Sequence, residues 1–177
     1  MGDVVRTTLD TAMLKREPFQ RMVFAGGSNG DAYFVVIIAT VIVPLLFVLD
    51  RVGLDPLDWL NWLVANLAGM ANAGFRWLIA GGVFWYVATN ALGGAGRYHV
   101  GLPVVGFAHT PLFLIPFIDR FTPLDSAALV YLLPAAWAVM IMSVGAQAVF
   151  DVPRDKAILA GLAGAFGYFI ARFIFQI

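Results

Sequence analysis

His109 and Thr110 stand directly before Pro111 inside a mostly apolar stretch, Leu92 to Pro116. Proline brings no amide proton to the carbonyl four residues back, here that of Phe107, and its ring disturbs the preceding turn. A freed carbonyl beside an imidazole and a hydroxyl can hold a proton, an ion or a lipid headgroup. The same two side chains can instead satisfy the loosened backbone and fix a kink, a frequent use of polar residues in membrane helices. A protonation switch would further require His109 to titrate near neutrality.

A second group lies on either side of the apolar runs. Gly93, Gly94, Ala95 and Gly96 form a flexible joint that carries Arg97 and His99, while Arg154 and Lys156 open the last apolar run. Placed at one membrane face, these four basic residues make a rim suited to anionic headgroups, each worth about 1 kcal/mol near the surface. Asp151 and Asp155 dilute that rim, and ordinary topology-setting charge is the competing reading. The glycine joint is not a phosphate loop, because no Gly-Lys-Ser/Thr follows it. No catalytic constellation emerges: Asp50, Asp55, Asp58, Asp119 and Asp125 cluster at the ends of apolar runs, and none sits mid-run, where a proton relay would need one. With no cysteine and only two histidines, thiolate chemistry is excluded and neither a metal nor a cofactor is expected.

The elements that must position these residues follow from solubility. The chain is 61% hydrophobic and 12% charged, with mean hydropathy +0.85, far from the roughly 45–50% apolar and about 25% charged of soluble domains. No soluble core of this size buries that much apolar surface, so lipid is the solvent. The formal net charge of zero argues against nucleic acid, which needs a basic face.

The expected fold is an all-α membrane protein: a bundle of five transmembrane helices with a short amphipathic N-terminal segment. Residues 1–31 form that cytoplasmic or interfacial segment and residues 32–177 the transmembrane domain. Residues 1–31 lack a compact apolar segment with a cleavage site, so the first span is expected to act as an uncleaved anchor. Within them, residues 9–24 place Leu9, Ala12, Met13, Phe19, Met22 and Val23 at helical spacing with basic residues between, and Pro18 breaks the segment into two pieces. Such a segment lies in the headgroup layer or packs on a neighbouring helix. The first span is Ala32 to Leu49, kinked at Pro44 and stopped by Asp50 and Arg51. Trp77 to Ala91 is the second, Tyr98 to Ile118 the broken third, Ser126 to Phe150 the fourth, and the fifth runs from Ala157 onward. Residues 57–72 are ambiguous, because Asn61, Asn66 and Asn72 make a poor span. They fit an interfacial helix, the outer half of a long helix through Arg76, or a sixth span that turns near Ala71–Gly74. Trp59, Trp62 and Trp77 resemble an interfacial aromatic belt.

Basic residues fix the N-terminus inside. The five-span arrangement puts Arg6, Lys15, Arg16, Arg21, Arg97, Arg154 and Lys156 inside, against Arg51, Arg76, Arg120 and Arg172 outside, so the C-terminus is outside. In the last span, Ala157, Gly161 and Ala165, and separately Ala163, Gly167 and Ala171, line up every four positions for close helix packing, within the chain or across a homodimer seam. Gln147 and Ser143 are expected to serve hydrogen bonds of the fourth span.

At Gly93-Gly94-Ala95-Gly96-Arg97-Tyr98, followed by Val105-Gly106-Phe107-Ala108-His109-Thr110-Pro111, the chain resembles the bacterial members of the Yip1 domain family. Pro18-Phe19 with Met22 is similar to the short element before the first span, and Gly145 to Ala157 to the last loop. The resemblance implies five transmembrane helices, a cytoplasmic N-terminus and a bacterial cytoplasmic membrane. The Asp-Leu-Tyr-Gly-Pro-type motif of eukaryotic relatives is absent, so their small-GTPase and trafficking roles are not carried over. The resulting expectation is a non-enzymatic membrane organiser or accessory subunit whose partners are membrane lipids and other membrane proteins or a second copy, with no nucleic acid. The alternative is a small transporter or channel-like protein working through the broken third span at His109 and Pro111.

Overall fold

A computed structural model describes residues 2–25, 28–45, 59–121 and 127–174. The described residues are mostly helical, with no strand among them. That follows from the solvent: in hydrocarbon every backbone amide and carbonyl needs an internal partner, and a helix supplies them within one segment. The Asp50–Arg51 stop, the opening of the fourth span at Ser126 and the Gly26-Gly27 link lie outside the described residues.

Two short helices, α1 (Gly2–Ala12) and α2 (Glu17–Ala25), precede the bundle. Pro18 is the second residue of α2, where its missing amide proton costs nothing. The amphipathic face divides in two. Phe19 and Met22 are buried inside the bundle, whereas Leu9, Met13 and Val23 are exposed. The indole of Trp137 donates to the carbonyl of Ala12 at 2.9 Å, and the Arg16 guanidinium donates to the side-chain oxygen of Gln147. Packing on a neighbour therefore describes α2 better than lying flat among headgroups.

Helix α3 (Ser28–Ile37) starts four residues before the first apolar residue that its hydropathy suggests, and continues to Leu45 as an apolar segment. Its last part widens into a π-turn over Ile38–Ile42, just ahead of Pro44. The proline ring is relieved by this wider turn, the local answer to the kink expected there. Thr40 donates to the Val36 carbonyl at 2.7 Å within it.

Helix α4 (Trp59–Tyr86) is one unbroken rod of 28 residues, followed by a π-turn over Val87–Ala91. The turn near Ala71–Gly74 that a sixth span requires is not there: residues 59–72 are the first half of the same helix that carries Arg76. Gly74 sits under the ring of Tyr33 instead. Trp77 also departs from expectation. It is buried, stacks on Tyr33 at 5.4 Å and donates its indole N–H to the Leu102 carbonyl at 2.8 Å, so it is a core residue and no part of an interfacial belt.

The third apolar run is broken as its prolines and glycines suggest. Helix α5 (Tyr98–Phe107) ends, a 3-10 turn covers Thr110–Leu114, and α6 (Ile115–Phe121) resumes. Helices α7 (Ala127–Phe150) and α8 (Arg154–Ile174) complete the bundle. Among the described residues, four segments are long and apolar enough to cross a membrane: Ser28–Leu45, Tyr98–Ile118, Leu132–Phe150 and Arg154–Ile174. Of these, Tyr98–Ile118 is 61% buried against 22–39% for the others, which places the broken segment at the centre. Large apolar residues of α8, among them Leu159, Leu162, Phe166 and Phe173, face outward, as suits a lipid-facing surface.

The two small-residue stripes of α8 serve two different neighbours. A methyl on Gly161 would come within 2.4 Å of the Val139 carbonyl on α7, and one on Gly167 within 2.8 Å of Val83 on α4. Close packing inside the chain therefore accounts for both stripes.

Candidate functional site

The sequence-derived site residues separate into two places. At the His109 break, each polar side chain has a backbone acceptor in its own helix. Ala108 N–H still reaches the Val104 carbonyl, four back, at 3.0 Å, but His109 N–H turns to Gly106, three back, at 3.1 Å. That leaves the Val105 carbonyl without its helical donor, and His109 Nδ1 lies 2.8 Å from it. Pro111 cannot serve the Phe107 carbonyl, and the Thr110 hydroxyl donates to that oxygen at 2.7 Å. Together imidazole and hydroxyl replace the two bonds that the break removes. With Nδ1–H as the donor, Nε2 of a neutral ring is an acceptor. The ring is buried and meets Tyr168 of α8 edge-on, with centroids 5.1 Å apart.

Gly93, Gly94, Arg97, Arg154 and Lys156 gather at the other end of α5, about 18 Å of helix away from His109. The glycine joint expected to be flexible is closely packed there. Gly94 N–H donates to the Ala88 carbonyl at 2.9 Å and Ala95 N–H to the Phe150 carbonyl at 2.8 Å. A methyl on Gly94 would lie 2.7 Å from the Phe150 oxygen and 2.8 Å from that of Ala88. Methyls on Gly96 and Gly101 would fall within 2.5 and 2.8 Å of the Phe150 ring. Phe150 is fully buried and also touches Phe84, with ring centroids 5.7 Å apart. Gly93 differs from the other glycines of the joint. It has open space around it and a φ of 78°, so its role is a left-handed turn. Phe150 organises this junction, yet as one apolar residue ending an apolar run it carried no distinguishing mark in sequence.

Around the junction, Arg97, His99, Arg154 and Lys156 are all exposed and share one end of the bundle. Arg16 joins that end through Gln147, which lies one helical turn before Phe150. Gln147 Nε2 and the Ser143 hydroxyl bond to carbonyls of their own helix, at 3.3 and 2.7 Å.

Beside His109 lies a cavity of about 420 Å³ that the sequence did not disclose. Its lining is apolar apart from Thr40, His109, Tyr168, Arg76 and Arg172. The antiparallel α4–α8 pairing that sets Gly164 by Phe84 and Gly167 by Val83 also brings Arg76 and Arg172 to the same level. Among the described residues no cluster of three or more histidines, aspartates or glutamates stands close enough to hold a metal ion.

Compared with known protein families, residues 13–174 match the Yip1 domain. The chain belongs to the Yip1 domain family. That match takes in α2, the glycine joint, the His109 break and all of the apolar helices, so both places described above are parts of the Yip1 domain. No curated protein and no solved structure matches the chain.

Proposed function

We propose that this Yip1 domain protein is a non-enzymatic integral membrane protein that crosses the bilayer five times and acts as a membrane organiser or accessory subunit of a larger assembly. Five passes rest on the four apolar segments together with α4, whose 28 residues run about 42 Å. The N-terminus then lies in the cytoplasm and the C-terminus outside. In support, the basic residues Arg16, Arg97, Arg154 and Lys156 gather at one end and Arg76 and Arg172 lie toward the other. A bacterial cytoplasmic membrane is the setting that the bacterial Yip1 resemblance favours.

One observation carries the organiser reading. The polar groups at the break, His109 and Thr110, are engaged with the carbonyls of Val105 and Phe107 and hold the helix in its broken shape. The cavity beside His109 is the specific feature that favours the second reading, a small transporter or channel. Proteoliposome flux, measured for ions and small solutes, tests the two against each other. The organiser reading expects no flux that depends on His109→Ala or Pro111→Ala, and a membrane protein or a second copy retained through purification in mild detergent. Flux that vanishes in His109→Ala would replace it with the transporter.

A further inference from the structure

We infer that the cavity between α3, α4, α5–α6, α7 and α8 is a binding site for one anionic acyl-chain lipid. The acyl chain lies against its apolar wall, and the head is held by Arg76 and Arg172. This goes beyond the organiser reading and does not depend on whether the protein moves solutes.

Four observations converge on that ligand chemistry. At about 420 Å³, the space falls within the range of small-molecule sites, about 300–1,000 Å³. Its wall is built largely from Val105, Leu112, Ile115, Met142 and Phe169, apolar surfaces that a hydrocarbon chain can lie against. The charged residues of its described lining are the two arginines, Arg76 and Arg172. Arginine presents several donors in a planar fork that fits phosphate and carboxylate oxygens. Finally, Arg172 lies about 27 Å along α8 from Arg154. That is close to the hydrocarbon thickness of a bilayer, so a head held by the arginines sits at the depth where lipid headgroups already are. The rim residues Ala135, Phe169 and Arg172 are exposed, so a chain enters sideways from the bilayer. The cavity takes one chain and leaves any second chain in the surrounding lipid.

A phosphodiester lipid and a free fatty acid share this chemistry, and one experiment separates them. The full-length protein is purified in detergent and exposed in turn to phosphatidylglycerol, palmitate and phosphatidylcholine. Retained lipid is counted per chain by native mass spectrometry. The expected result is one tightly retained phosphatidylglycerol or palmitate, whichever of the two matches the head, and little phosphatidylcholine. Arg172→Gln should weaken that retention by at least about tenfold, as loss of a charge-assisted contact does. Ala135→Phe changes an exposed position on the rim and fills the entrance, and it should abolish retention while unfolding at the same temperature as the parent. Equal retention of all three lipids, or anionic retention untouched by both variants, would overturn the assignment. Because no flux is measured, failure here leaves the organiser reading to its own test.

Discussion

At Gly101 helix α5 presses against the Phe150 ring with no room for one added carbon. About 12 Å further along the same helix, His109 borders a cavity of about 420 Å³. One end is a joint of backbone against ring, held by amide bonds from the glycine link to the carbonyls of Ala88 and Phe150. The other is a tightened 3-10 turn whose lost bonds are replaced by side chains. Membrane helices gain little from hydrophobic burial against one another, because lipid is as apolar as leucine. Close approach is therefore what locks such a bundle, and it is concentrated where glycines permit it. Where proline and bulky residues hold helices apart, space remains, and space in a bilayer is a place for lipid.

The comparison breaks most readily at Phe150. Phe150→Ala leaves a void ringed by Gly96, Gly101 and Phe84 and should cost about 3 kcal/mol, read as a large drop in the thermal midpoint in detergent. An unchanged midpoint would mean that the joint is not a locked region. Gly94→Val forces a side chain against two carbonyl oxygens and should cost about 2 kcal/mol. Gly93→Ala, with open space but a left-handed backbone, should cost about 1 kcal/mol; if Gly93→Ala proves the worse of the two, close approach is not what the joint requires. Trp77→Phe removes the donor to the Leu102 carbonyl and should cost about 1 kcal/mol, checked by the same melting curve. The smallest effect is expected outside the bundle. The hydrogen bond from Lys15 holds the Asp10 carboxyl below its usual range. A lowered carboxylate contributes stability above its ordinary pKa and loses it as pH falls through the folded value. The amide protection factors over residues 9–17, corrected for intrinsic exchange, should therefore be constant between about pH 5 and 8 and fall only below about pH 4.

Much of this fold could be read from residue types. Apolar length marked the membrane helices, Pro18 the start of α2, and Pro111 with the residues around it the break at the centre. These are local signals that act within one turn of the helix. The continuity of α4 was harder to read, because Asn61, Asn66 and Asn72 lower its hydropathy without interrupting its backbone; Asn66 in fact bonds to the Trp62 carbonyl one turn back at 2.7 Å. Trp77 pointed toward an interface by residue type, yet turns inward because the Leu102 carbonyl gives its indole a partner. Phe150 and the Arg76–Arg172 cavity were invisible for a common reason. Both are made by residues far apart in the chain, and a helix that is apolar all round carries no stripe to say which face meets which neighbour.

The length of α4 has a consequence for the membrane itself. At about 42 Å it outreaches a hydrocarbon slab of about 30 Å by roughly a third of its length. A rod that overshoots its slab leans, protrudes or thickens the lipid around it. If α4 crosses the bilayer as proposed above, its length would make the protein responsive to membrane thickness as well as to headgroups.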